Sequence, residues 1–146
     1  MGTLNAVTWK IIDTLKADAE LGIPEANFFF GPPYTRNQTP FCYAVWNGGP
    51  VQQETFANEV WQHTWSIIIV DIAQEDNVAL QSVMDKIERA KQVLAEDPTL
   101  GGLVRGSQAA SMEGETMTVG TDWGKVSQLI AAARLVLRCE VIVEEA

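Results

Sequence analysis

The alternation that decides the fold is found in Trp61-Gln62-His63-Thr64-Trp65-Ser66-Ile67-Ile68-Ile69-Val70. One parity of this segment is aromatic and branched apolar, whereas the other begins polar and ends apolar at Ile68 and Val70. Because successive side chains of a strand point to opposite faces, the pattern predicts a long strand over residues 59–72. We expect its first face to meet a helix and its half-apolar second face to meet a partner.

Two amphipathic helices are predicted on either side of this strand in the sequence. Apolar residues recur at three- and four-residue steps over residues 3–18, with Thr3 as a candidate N-cap. The same spacing recurs over residues 76–96, with Asp76 as a candidate N-cap and Pro98 close behind the last turn. The second helix is expected to be the main cover of the sheet.

Shorter segments complete the expected sheet. Residues 28–30 and 41–46 are rich in aromatic and β-branched residues and predict strands, and residues 133–144 alternate and predict a second long strand. Residues 31–40, with three prolines and a glycine, predict a loop, and residues 52–58 a polar connection. Residues 106–120 lack bulky apolar residues and predict a long loop that contains one weak strand around Met112.

The order of helix, strands, helix and strands determines the expected fold class. It indicates an α+β fold with a mixed, mainly antiparallel sheet and two helices packed on one face. The length of 146 residues fits a single domain over residues 1–146.

Composition and charge narrow the range of functions. The chain is 47% hydrophobic and 20% charged, which is typical of a soluble globular domain. Its formal net charge of -9 has the wrong sign for a protein that grips nucleic acid through phosphates. No apolar segment approaches the length of a bilayer span and no signal peptide is recognisable, so we expect synthesis in the cytoplasm and no membrane partner.

The residues that carry catalysis or bind ligands in other proteins form no such pattern here. His63 is the only histidine, and it is expected to be a structural residue of the long strand. Cys42 and Cys139 lie in separate apolar segments and are expected to be reduced and buried. No glycine-rich segment has the spacing of a nucleotide-binding loop. We therefore expect no catalytic residues, no cofactor and no metal.

Five tryptophans are more than a small core usually needs, and tryptophan is favoured as an interface anchor. Trp65 is expected in the core. Trp46 and Trp123 border predicted loops, and together with Ile68 and Val70 they are predicted to lie at a subunit interface.

Four segments, taken in order, carry a resemblance to a known family. They are the long strand 61–70, the helix after Asp76, the break Asp97-Pro98-Thr99-Leu100-Gly101-Gly102-Leu103-Val104, and the final strand 134–143. In this order the chain resembles the tail terminator proteins of long-tailed bacteriophages over residues 4–143. The resemblance implies a homo-oligomeric ring, usually a hexamer, located in the neck of the virion. Such a ring caps the head-proximal end of the tail tube, ends tube polymerisation, joins the tail to the head connector and has no enzyme activity.

A ring of this kind would give the acidic residues a role. A compact chain of this length has a radius of gyration near 15 Å, so six copies would leave a central hole of roughly 40 Å, wide enough for duplex DNA. Between Arg36 and Lys86 there is no lysine or arginine. We expect Glu54 and Glu59 of this stretch to line the pore, where like charge lets DNA pass without specific binding.

Two predicted loops are the candidates for contact with neighbouring virion proteins, because loops carry recognition on a rigid scaffold. Tyr34 and Arg36 belong to residues 32–40, and Met112 and Glu113 belong to residues 106–123. We expect these four residues to contact the tail tube protein or the head connector.

A second hypothesis is a small acidic inhibitor or immunity-type protein that binds a basic partner by charge complementarity. It explains the net charge equally well. It does not explain the half-apolar second face of the long strand.

Overall fold

The structure is a computed structural model, and it describes residues 2–33, 39–49, 51–53, 58–73, 78–122 and 125–144. Short 3-10 turns occur at Ala19–Leu21 and Glu25–Asn27, between the first helix and the first strand. In chain order the elements are α1 (Thr3–Lys16), β1 (Phe28–Phe30), β2 (Phe41–Gly48), β3 (Val51–Gln53), β4 (Asn58–Ala73), α2 (Val78–Ala95), β5 (Gly106–Asp122) and β6 (Lys125–Glu144).

The strands form one six-stranded sheet in the order β1-β2-β4-β6-β5, and β3 pairs with β4 beside the end of β2. β1 is parallel to β2, and every other pairing in the described sheet is antiparallel. The predicted fold class is confirmed: the fold is α+β, with a mixed, mainly antiparallel sheet and two helices on one face.

The core lies between this sheet and the helices, as the alternation in β4 predicts. Trp65, Ile67 and Ile69 are fully buried, and they face the helices together with Leu135 and Leu137 of β6. The helices contribute apolar stripes spaced by three or four residues. The buried members of these stripes are Val7, Ile11, Ile12 and Leu15 of α1, and Ala79, Val83, Ile87, Ala90, Val93 and Leu94 of α2.

One buried hydrogen bond ties α1 to the centre of the sheet. The Trp65 indole Nε1 donates to Thr8 Oγ1 over 2.8 Å, and Thr8 Oγ1 donates to the Leu4 carbonyl oxygen over 2.8 Å. Trp65 is 0% and Thr8 1% exposed, so water does not compete for either group. The largest core side chain therefore has its polar atom satisfied by the helix that covers it.

The prediction of a long loop over residues 106–120 is wrong, whereas the weak strand predicted within it around Met112 is confirmed as part of a longer strand. β5 occupies Gly106–Asp122 and pairs with β6 from Gly106 opposite Glu140 to Asp122 opposite Lys125. β6 accordingly begins eight residues before the predicted start at position 133. β5 needs few apolar residues because it lies at the edge of the sheet, where residues 110–116 are all exposed.

Two smaller predictions are also corrected. Gly2, not Thr3, is the N-cap of α1, because the Ala6 amide already donates to the Gly2 carbonyl oxygen over 3.0 Å. Part of the predicted polar connection, Val51–Gln53, is β3, which pairs with β4 from Val51 opposite Trp61. The predicted cap Asp76 lies outside the described residues.

Candidate assembly surface

The face of the sheet that points away from the helices is the largest candidate site, and we call it the open face. Its apolar members come from β1, β2, β4 and β6, and all are half-buried: Phe29, Phe41, Tyr43, Val45, Ile68, Val70, Ile130, Ala132 and Val136. The rings of Phe41 and Tyr43 stack with centroids 6.4 Å apart, and Phe29 meets Phe41 edge-on at 6.2 Å. The open face thus carries an apolar area of the kind that marks interaction sites.

A shallow depression of about 530 Å³ lies at the centre of the open face. Its floor includes Ile68 and Val70, and its rim includes Glu113 and Glu115 of β5. The depression is broad and open, with an apolar floor and an acidic rim. It fits a protein surface better than a small molecule, which a site normally encloses on most sides.

A polar cluster crosses the open face beside this depression. Ser66 Oγ accepts a hydrogen bond from Asn47 Nδ2 over 2.6 Å and a second from Arg134 Nε over 2.8 Å. These two side chains cover Ser66, which is 1% exposed. The hydrogen bond to Ser66 holds the guanidinium of Arg134 in place over β2, β4 and β6. The guanidinium is exposed there and able to bind a carboxylate.

The ionisation of Tyr43 reflects the same surroundings. Burial raises the pKa of the Tyr43 phenol, and the nearby carboxylate of Glu115 raises it further, while Arg134 lowers it. Tyr43 is therefore a neutral hydroxyl at physiological pH and can donate a hydrogen bond at this surface.

Of the four predicted interface residues, the structure describes three, and they lie on two different sides of the sheet. Ile68 and Val70 lie together on the open face, as predicted from their parity. Trp46 lies on the other side of the sheet, because it pairs with the buried Trp65. Trp123 lies outside the described residues.

The side chain of Trp46 packs against His63 of the neighbouring strand. Its indole Nε1 donates to His63 Nδ1 over 2.8 Å, and the two rings stack with centroids 5.5 Å apart. Its side chain nevertheless remains 49% exposed. Trp46 is thus an ordered, exposed aromatic surface, separate from the open face.

The residues predicted to contact the tube or connector are partly described. Tyr34 and Arg36 lie outside the described residues. Met112 and Glu113 are adjacent on β5 and point to opposite sides: Met112 pairs with the core residue Leu135 and is 46% exposed, and Glu113 pairs with Arg134 on the open face.

The acidic stretch between Arg36 and Lys86 contains the two residues predicted to line a pore, Glu54 and Glu59, and also Asp71, whose contacts the structure describes. Asp71 Oδ2 accepts a hydrogen bond from Ser82 Oγ of α2 over 2.6 Å, and Lys86 Nζ donates to the same Ser82 hydroxyl. Asp71 is therefore engaged within the fold. Glu54 lies outside the described residues. Glu59 belongs to β4, and its side chain lies outside what the structure describes.

The cysteines and the histidine occupy the interior. Cys42 and Cys139 are free and buried, as predicted, and burial raises the pKa of each thiol to about 12. His63 lies opposite Cys139 in the β4–β6 register and is 4% exposed, and burial lowers its pKa. The three groups are neutral at pH 7, so neither thiol is a thiolate nucleophile.

Neither family models nor curated proteins match this chain. Among solved structures, a chain from the virion of a native gene transfer agent (GTA) particle is similar. It has 15% sequence identity and a TM-score of 0.44, and the match covers 96% of this chain and 97% of that chain. A likeness at this level assigns neither a family nor a function to this chain.

Two further kinds of feature do not occur in the residues that the structure describes. Within them, no helix is long and apolar enough to span a membrane. Nor do three or more potential metal ligands lie together in that part of the chain. The polar cluster of Asn47, Ser66 and Arg134 was missed by sequence reasoning, because no single segment contains it.

Proposed function

We propose that this chain is a structural protein of a tailed, phage-like virion and has no enzymatic role. In this proposal it assembles into a ring of six copies, the number usual in tail terminators, at the head-proximal end of the tail tube. The ring ends tube polymerisation and joins the tail to the head connector. The observation that carries the proposal is the open face, a half-buried apolar area on an otherwise well-packed small fold. The order of segments, which resembles that of tail terminators, supports it.

The open face supports self-assembly because burial of its side chains is incomplete in one copy. Burying the remaining exposed area of Ile68, Val70 and Ile130 in a contact would stabilise the assembly by about 25 cal/mol per Å² of apolar surface. Arg134, held in place by Ser66, would provide a fixed cation for a carboxylate of a neighbouring copy, and the chain has nineteen acidic residues to offer.

The first experiment tests assembly through this face. Ile68→Asp would place a charge in the contact and is expected to convert rings into smaller species in analytical ultracentrifugation. Thr64→Asp is the matched control, because Thr64 lies on the same face of β4 at its polar end. Rings that persist with Ile68→Asp, in a protein that keeps its circular-dichroism spectrum, would contradict the assignment of the interface.

The second experiment tests the role at the tail tube. Purified protein added to polymerising tube protein is expected to stop elongation, and negative-stain images should show a ring on one end. Phage that lack the protein are expected to make tails of uncontrolled length that fail to join heads. Tails of normal length on intact heads would refute the role and favour the acidic inhibitor, whose partner would be a basic protein.

The proposed pore has its own test. Glu54 and Glu59 are proposed to face the DNA path, so a Glu54→Lys, Glu59→Lys double variant should make rings retain duplex DNA at low salt. The retention should fade as salt rises, because exposed charges are screened beyond about 10 Å at 0.1 M. Rings that ignore DNA at every salt concentration would refute the pore assignment and leave the ring itself untouched.

A further inference from the structure

The outer edge of β5 is the longest free strand edge in the part of the sheet that the structure describes. β5 comes last in the strand order, so it pairs with β6 on one side and with no other described strand. It is 17 residues long, and residues 110–116 are exposed. Along such an edge, every second residue presents an unpaired amide and carbonyl, which form a template for a further strand.

The two sides of this edge differ in chemistry. On the side of the helices, Ala109 borders a narrow cleft of about 190 Å³ between β5 and α2. This cleft is walled mainly by Leu94, Leu135 and Leu137. Met112 lies on the same side of the sheet, farther along β5. On the side of the open face, the exposed side chains of β5 include two carboxylates, Glu113 and Glu115, beside the hydroxyl of Ser111. β5 itself contains no lysine or arginine, and on the neighbouring strand β6 Arg134 lies opposite Glu113.

Natural edge strands are usually protected by lysine, proline or a bulge. β5 has a bulge between Ala109 and Ser111, but from Ser111 to Val119 its register with β6 is regular. Proline is absent from its sequence. The edge beyond the bulge is therefore a long regular template with only acidic residues to limit pairing.

We propose that the β5 edge binds an extended strand of another protein, in which apolar residues alternate with lysine or arginine. The apolar side chains would fill the cleft beside α2, and the basic side chains would meet Glu113 and Glu115. From Ala109 to Glu115 the edge spans roughly 20 Å at 3.3 Å per residue, so a strand of about seven to nine residues covers both features.

A second copy of this chain is a poorer occupant. Pairing β5 with another β5 would bring like charges together, since each strand carries Glu113, Glu115 and Asp122 and no cation. Among the described strands, β6 comes nearest to the required partner sequence, because Arg134 and Arg138 lie on one face and Leu135 and Leu137 on the other. β6 is already paired on both sides.

This inference deepens the proposed contact of Met112 and Glu113 with a virion neighbour, and it rests on that proposed function for the source of the strand. Binding to the edge itself requires neither a ring nor a tail tube. The experiment therefore uses the purified full chain, and its oligomeric state is recorded in the same preparation.

The probe is a capped peptide of about nine residues in which valine alternates with lysine, the length that the edge accommodates. Fluorescence anisotropy should show saturable binding, and hydrogen exchange should show new protection confined to β5. The matched peptide with glutamate in place of lysine should bind at least about threefold more weakly, as two exposed charge pairs predict. In a Glu113→Lys, Glu115→Lys protein this preference should reverse.

Two N-methylated versions of the lysine peptide separate strand addition from simple charge attraction. One is methylated at the odd amides and the other at the even amides, and an added strand donates from only one set. Loss of binding in one version alone is expected. Equal binding by both versions, or no protection in β5, would overturn the inference even if rings form and cap tubes. Binding without rings would instead contradict the proposed function and leave the edge assignment standing.

Discussion

Replacing Thr8 by valine tests whether the hydrogen bond between α1 and Trp65 stabilises the fold. Valine has nearly the shape of threonine, so packing is preserved while the hydroxyl is lost. The Trp65 indole N–H, 0% exposed, would then have lost its 2.8 Å acceptor in a place that water does not reach. A buried donor left without a partner costs about 1–3 kcal/mol. For a chain of this length that lowers Tm by roughly 2–12 °C.

The measurement is urea unfolding followed by circular dichroism at fixed protein concentration, because assembly would add to the apparent stability. Thr14→Val is the matched control, since Thr14 Oγ1 also donates to a carbonyl four residues back but receives no indole N–H. It should change the free energy of unfolding by less than about 0.5 kcal/mol.

A double-mutant cycle completes this test. In a Trp65→Phe background the indole N–H is already gone, so Thr8→Val should cost less than about 0.5 kcal/mol. Equal losses for Thr8→Val and Thr14→Val, or no coupling between Thr8 and Trp65, would refute the reasoning.

Further predictions concern one close backbone approach and two ionisable groups. Gly49→Ala should cost about 2 kcal/mol or more in urea unfolding, because the added Cβ would overlap a backbone carbonyl oxygen of β4, whereas Gly106→Ala has open space and should be nearly neutral. Stability should fall as pH drops through 6.5, the ordinary pKa of His63, because burial lowers that pKa in the fold and the unfolded chain takes up the proton first. His63→Gln should lack this slope in urea midpoints measured at about pH 7.5 and 5. The hydrogen bond from Arg89 lowers the pKa of Asp18, so stability should fall again in acid as Asp18 takes up a proton. Asp18→Asn should therefore weaken the fold at neutral pH but not at about pH 2.

The central strand could be predicted because its signal is local. In β4 every second residue from His63 to Ile69 is buried, and the alternation alone assigns both faces. β5 could not be predicted in the same way. An edge strand whose described side chains are exposed on both sides from residue 110 to 116 carries little hydrophobic alternation to mark it.

The candidate site divides along similar lines. Ile68 and Val70 could be assigned to the open face from parity, since one residue step reverses the face. Arg134 could not be assigned, because its partner Ser66 is 68 residues away and is brought near by the β4–β6 register. Trp46 was predicted to lie at a subunit interface because it borders a predicted loop. That position in the sequence does not reveal on which side of the sheet the side chain lies.

The lengths of the helices and strands explain why part of the sheet is left without a helix over it. α2 has 18 residues and is roughly 27 Å long, whereas β6 has 20 residues and extends over roughly 66 Å. The helical layer therefore cannot cover the long strands. β6 also continues past the last residue of β4, which pairs with Leu129, and beyond that point β5 and β6 run as a two-stranded ribbon to the pair of Asp122 and Lys125.

A two-stranded ribbon is at best marginally stable alone in water. The open face and the β5 edge are incomplete in the same sense, since each has apolar area or backbone groups that no described element of the chain covers. The uncovered features are a face, an edge and an extended ribbon, and broad surfaces of this kind fit another polypeptide chain better than a small ligand. That distribution is the physical reason for proposing that the protein acts by assembly.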